Sequence, residues 1–134
     1  MAEILIIGYG NPLRGDDGVG YMAAERLDGL ARHQLTPELM EPISQAASVI
    51  FIDAKIGGQP GAIEERTLQP APSGNAFTHH ATPEALLAGA RQLYGRCPPA
   101  TLVTITGSDF ELGHALSPPV RQALEKLLRH RGIQ

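Results

Sequence analysis

Short apolar blocks rich in branched residues alternate along this chain with stretches whose apolar positions recur three or four apart. The blocks EILII (3–7), SVIFIDA (48–54) and ATLVTIT (100–106) have the length and β-branched content of buried strands. AIEERTL (62–68) alternates apolar and polar, as a strand at a sheet edge does. LARHQ (30–34) is at most a short strand. A helix is predicted from about Gly18, with Tyr21, Ala24 and Leu27 at helical spacing and Asp28-Gly29 as its stop. Thr36 as cap, Pro37 at the first helical position and Glu38 open a short helix to about Gln45. Thr82-Pro83-Glu84 opens another, closed by Gly95, with Leu86, Leu87, Ala90 and Leu93 on its inner face. Ser117-Pro118-Pro119 begins the last helix, VRQALEKLLRHRG. GGQPG (57–61) reads as a turn, and QPAPSGN (69–75) and GSDFELGHAL (107–116) as loops. Strands and helices alternate, without repeats or a dividing linker. That order predicts an α/β fold in one domain, 1–134: a mainly parallel twisted sheet of about five strands with helices on both faces.

Composition narrows the partners. The chain has 134 residues, a formal net charge of −3, no tryptophan and no basic stripe, which argues against nucleic acid or an anionic membrane surface. The single cysteine, Cys97, cannot form an internal disulfide and fits a reducing compartment. Cys97 lies in a turn without an evident base and reads as an inert thiol. No segment approaches the roughly 20 apolar residues of a membrane span, and the N-terminal MAEILIIGYG places an acid where a secretory leader needs a base. The expectation is a cytoplasmic protein.

In an open α/β sheet, sites form beyond the carboxyl ends of the strands. The first such end leads into LIIGYGNPLRGDDGVG (5–20). Gly8 and Gly10 fit a dinucleotide fingerprint, but the third glycine is replaced by Leu13, and there is no Walker lysine. Asp16 and Asp17 would repel a pyrophosphate. One aspartate suffices to cap the following helix; the second is surplus and calls for a role. Asp53 ends the VIFID strand at the margin of a dry core, where a carboxylate requires a cation or hydrogen bonds. His79 and His80 precede a helix on a loop able to reach the same edge. Two carboxylates and an imidazole form an O/O/N set suited to a borderline divalent cation such as nickel, zinc or manganese. Without cysteines nearby, the set does not resemble a closed structural zinc site. No G-x-S-x-G elbow or D-T-G segment is present. His33 and His114 read as hydrogen-bonding or surface histidines, His33 being the nearer to the site.

GYGNPLRGDDGVG (8–20) resembles the N-terminal signature of the hydrogenase maturation endopeptidases, which trim the C-terminus of the large subunit of nickel–iron hydrogenases. HQLTPEL (33–39), VIFIDA (49–54), FTHHATPEALL (77–87) and GSDFELGHALSPPV (107–120) are similar to later segments of that family, in the same order. The resemblance implies a three-layer α/β/α sandwich and a metal-contacting set of Asp17, Asp53 and a histidine of THH, assigned to His80 with His79 as its neighbouring alternative. It further implies nickel brought by the substrate as the recognition element and no other cofactor. Gly8, Gly10, Asn11 and His33 would shape the substrate loop, and Asp16 and Asp17 are the candidates for activating water. The implied function is endoproteolysis of a nickel-loaded large-subunit precursor; the alternative is a non-catalytic, metal-sensing module that binds the precursor. One departure stands out: only DGLAR separates the first helix from HQLTPEL, which predicts a stunted second strand or altered pairing.

Overall fold

The computed structural model describes residues 3–71 and 81–131. Strand β1 (Ile4–Tyr9) leads through a 3₁₀ turn (Gly15–Gly18) into α1 (Val19–Arg26) and then β2 (Leu30–Arg32). A second 3₁₀ turn (Pro37–Leu39) runs into α2 (Met40–Gln45), followed by β3 (Ser48–Lys55), β4 (Ile63–Leu68), α3 (Pro83–Tyr94), β5 (Ala100–Thr106) and α4 (Pro118–His130). The strands form one sheet in the order β2-β1-β3-β5-β4; β4 runs antiparallel to β5 and the other pairs are parallel. The expected short β2 has three residues, yet its pairing is intact, Ile7 to Tyr9 lying opposite Leu30 to Arg32.

Side-chain alternation divides the core in two. On one face, Ile50, Ile52, Val103 and Ile105 meet Val19 and Ala23 of α1 and Val120, Leu124, Leu127 and Leu128 of α4. On the other, Val49, Phe51 and Leu102 meet Met40 and Ile43 of α2 and Leu86, Leu87 and Ala90 of α3. These are the expected three layers. Among the described residues, no helix is long and apolar enough to cross a membrane.

Three local expectations need correction. Leu93 is 64% exposed: it stays on the apolar stripe by angle, but it lies in the last turn of α3, which extends past the core before Gly95 ends the helix in left-handed backbone. Thr36 occupies a cap position in extended backbone but makes no capping bond, and the predicted short helix is split into a 3₁₀ turn and α2. Ser117 precedes α4 without capping it, because its hydroxyl is engaged elsewhere. Thr82, by contrast, accepts from the Ala85 amide at 3.1 Å, as a cap should.

Candidate functional site

The carboxyl end of β1 carries a loop that has to pass very close to α1. A β-carbon on Gly8 would overlap the Gly20 carbonyl oxygen, and one on Gly20 would overlap that of Ile52. Glycine at both positions lets α1 lie directly on β1 and β3. Gly10 has φ +140°, and a β-carbon there would overlap the Asp17 carbonyl oxygen. The glycines bring the start of α1 down onto the strand ends, a task unrelated to phosphate.

The two adjacent aspartates separate on the 3₁₀ turn. Asp16 is fully buried. Its Oδ1 accepts from the Ser117 amide at 2.7 Å, and its Oδ2 accepts from the Ser108 amide at 2.8 Å, the Asp109 amide at 3.0 Å and the Ser117 hydroxyl at 2.8 Å. Burial opposes its ionisation, but these hydrogen bonds outweigh burial and hold the carboxyl below the usual carboxylate range. Asp16, paired with Asp17 as a candidate for activating water, is thus enclosed within the protein and occupied in tying the β5–α4 loop to the signature loop. Asp17 turns the other way. It is half-buried, and its Oδ2 accepts from the Asn11 amide at 2.8 Å. Asn11 in turn accepts from the Leu13 amide through its own Oδ1 at 2.9 Å, fixing the loop that holds Asp17.

Asp17 faces a cleft of about 250 Å³ lined by Tyr9, Gly10, Asp17, His33, Gln34, Leu35, Asp53 and Ala81. Asp53 reaches it from the end of β3, where Oδ1 accepts from the Ala54 amide at 2.7 Å. Burial pushes its pKa up to about 6; the Ala54 amide and the Tyr9 hydroxyl pull it down, and the Asp17 charge raises it further. Burial and the charge of Asp53 push the Tyr9 phenol up in turn, so Tyr9 keeps its proton and directs it at Asp53. His33 follows β2, and its ring packs on Tyr21 with centroids 5.4 Å apart. Tyr9 was not singled out by sequence reasoning; its place between two glycines at a strand end was the available signal.

The structure therefore gathers Asp17, Asp53, Gly10 and His33 at one cleft. Gly8 and Asn11 do not line it: Gly8 is buried under α1, and Asn11 braces Asp17 from behind. His80 and its alternative His79 lie outside the described residues. Among the described residues, no three His, Cys, Asp or Glu side chains are grouped closely enough to hold a metal ion. No lysine or arginine is among the described residues lining the cleft. His114 is an exposed, hydrogen-bonded histidine as expected, its Nδ1 2.8 Å from Asp109 Oδ2. Cys97 is half-buried, and burial raises its thiol pKa, in keeping with an inert thiol.

No protein-family model and no curated protein matches the sequence. Solved structures do match. The [NiFe] hydrogenase maturation protease HycI from Thermococcus kodakarensis KOD1 is similar at 25% identity and a TM-score of 0.71, over 97% of this chain and 90% of that one. The hydrogenase maturating endopeptidase HybD from E. coli is similar at 25% identity and a TM-score of 0.65, over 97% of this chain and 94% of that one. HybD from T. kodakarensis, at 19% identity and a TM-score of 0.68 over 97% of both chains, shares the fold. These matches run nearly end to end, and they agree with the resemblance of residues 8–20 to the hydrogenase maturation endopeptidases, whose fold this chain shares.

Proposed function

We propose that this endopeptidase removes a C-terminal peptide from the nickel-loaded large-subunit precursor of a nickel–iron hydrogenase, recognising the nickel that the precursor brings. The observation that supports this reading is the charge of the cleft. Two carboxylates share it, one of them already raised to about 6, and no lysine or arginine among the described residues lining it balances them. Such a pair is electrostatically incomplete, and a divalent cation presented by a partner completes it. Carboxylate oxygens with a histidine nitrogen suit nickel; Asp17 and Asp53 supply the oxygens and His80 the nitrogen. The same cation polarises the neighbouring peptide carbonyl when bound. With Asp16 committed to the fold, Asp17 and Asp53 are the remaining described acids that can touch water at the site.

The test is mass spectrometry of nickel-loaded precursor incubated with purified protein. The wild type shortens the precursor. Asp17→Ala and Asp53→Ala each slow the cleavage by on the order of a hundredfold or more, with circular dichroism unchanged. A precursor that is bound but keeps its full mass points instead to a non-catalytic, metal-sensing module. Normal cleavage by both variants removes the two acids from the reaction.

A further inference from the structure

The cleft is small for what it has to admit. About 250 Å³ is below the ~300–1,000 Å³ of pockets that enclose small ligands, enough for a few side chains of an extended segment. The body of a folded protein substrate must then lie on the surface around the cleft, and the loops at the carboxyl edge of the sheet provide that surface.

Two of these loops each expose a leucine, and their backbones are joined. Leu13, at the tip of the signature loop, and Leu112, in the β5–α4 loop, are each 63% exposed. They come from distant parts of the chain, yet the Gly113 amide donates to the Leu13 carbonyl at 2.7 Å, so the two residues flank a single hydrogen bond. The Gly15 amide donates to the His114 carbonyl at 3.0 Å, and the Asp16 amide to the Asp109 carbonyl at 2.7 Å. Asp109 closes the tip through the Glu111 amide at 3.0 Å and His114 Nδ1 at 2.8 Å. Beneath both loops sits the Asp16 carboxylate with its four hydrogen bonds.

Single exposed leucines are common and need no explanation. Here a buried, fully bonded carboxylate and a set of backbone bonds tie together the two loops that carry them, so little backbone ordering entropy remains to be lost on contact. That place adjoins the site. The Leu13 amide bonds Asn11, and Asn11 bonds Asp17.

We infer that Leu13 and Leu112 form an aliphatic docking knob that seats the folded body of the hydrogenase precursor, through an apolar depression on its surface, while its C-terminal segment enters the cleft. This inference rests on the proposed function for the identity of the partner, but binding can be measured apart from cleavage.

The affinity of purified nickel-loaded precursor is measured by titration calorimetry against Asp17→Ala protein and against the same variant carrying Leu13→Ser and Leu112→Ser. Loss of two apolar contacts is expected to weaken binding by about tenfold or more, with thermal midpoint unchanged because both side chains are exposed. Leu93→Ser, at the opposite end of the sheet and 64% exposed, leaves affinity as it was. A loss below about fivefold, or an equal loss from Leu93→Ser, overturns the docking knob. In the cleavage assay, Leu13→Ser/Leu112→Ser raises KM and spares kcat. Should the wild type leave the precursor intact while the calorimetric difference persists, docking stands and the proteolytic reading falls.

Discussion

At the scale of single residues, the site carries an unfavourable charge in exchange for readiness. Asp53 lies near the end of a buried strand, and burial lifts its pKa to about 6 from an ordinary 3.8. The folded state therefore holds this proton more tightly than the unfolded chain does. The sign follows: the contribution of Asp53 to stability is fully present below about pH 4 and is lost as pH rises through about 6. Above that, the fold keeps an anion where it would be more stable with a neutral group. Asp53→Asn retains an acceptor for the Ala54 amide but no charge. It is expected to be more stable than wild type at pH 7.5, by on the order of 1–3 kcal/mol, and to differ little at pH 4. Urea unfolding at the two pH values measures this. Equal stability at pH 7.5 would mean that Asp53 ionises without strain and that the cleft has no deficit for a cation to fill.

At the scale of elements, one four-residue 3₁₀ turn divides two identical side chains between structure and chemistry. Asp16 joins the signature loop, the β5–α4 loop and the first residue before α4; Asp17 looks into the cleft. An amide at position 16 would set an NH₂ group against donors now satisfied by the carboxylate. Asp16→Asn is expected to cost about 2–4 kcal/mol, whereas Asp17→Asn, at a half-exposed position, stays within about 1 kcal/mol of wild type. Thermal unfolding at neutral pH separates the two. A destabilisation of similar size in both would show that the turn does not divide their roles. This division was beyond sequence reasoning. Period and capping locate β1, β3, β5 and the start of α3 within a residue or two, because burial and turn chemistry are local and periodic. The direction each aspartate faces depends on donors at Ser108, Asp109 and Ser117, some ninety to a hundred positions away. Ser117 looked like a helix cap for the same reason: its hydroxyl has a tertiary partner that local spacing does not reveal. The meeting of Asp17 with Asp53 was legible, since one follows β1 and the other lies near the end of β3, and these parallel strands end at one edge. The place of Tyr9 beside Asp53 was not, because aromatic residues at strand ends most often serve the core.

At the scale of the whole molecule, the distance between the two acids is set by how closely one layer lies on another. Asp17 lies in the turn that leads into α1 and Asp53 lies near the end of β3, so their separation follows the gap between that helix and the sheet. Gly20 and Gly8 make the gap as small as backbone atoms allow. A methyl group at Gly20 would meet the carbonyl oxygens of Ile52 and Tyr9, both of which adjoin cleft residues. The sheet has little freedom to yield, since β1 and β3 are both inner strands and are paired with each other over five residues. The helix must move instead, carrying Asp17 away from Asp53. Gly20→Ala is thus expected to destabilise by about 1–3 kcal/mol and to remain folded at 25 °C. Its loss in kcat/KM should exceed tenfold even there, because misplacement of a reacting group by about 1 Å can cost a hundredfold. Gly29 offers a matched comparison: an added methyl there also meets backbone, at Ile6, but on the far side of α1 from the cleft. Gly29→Ala should destabilise comparably and keep its activity when assayed below its thermal midpoint. If both variants lose activity only in proportion to stability, the close packing of α1 serves the fold alone and the acids do not depend on it for their spacing.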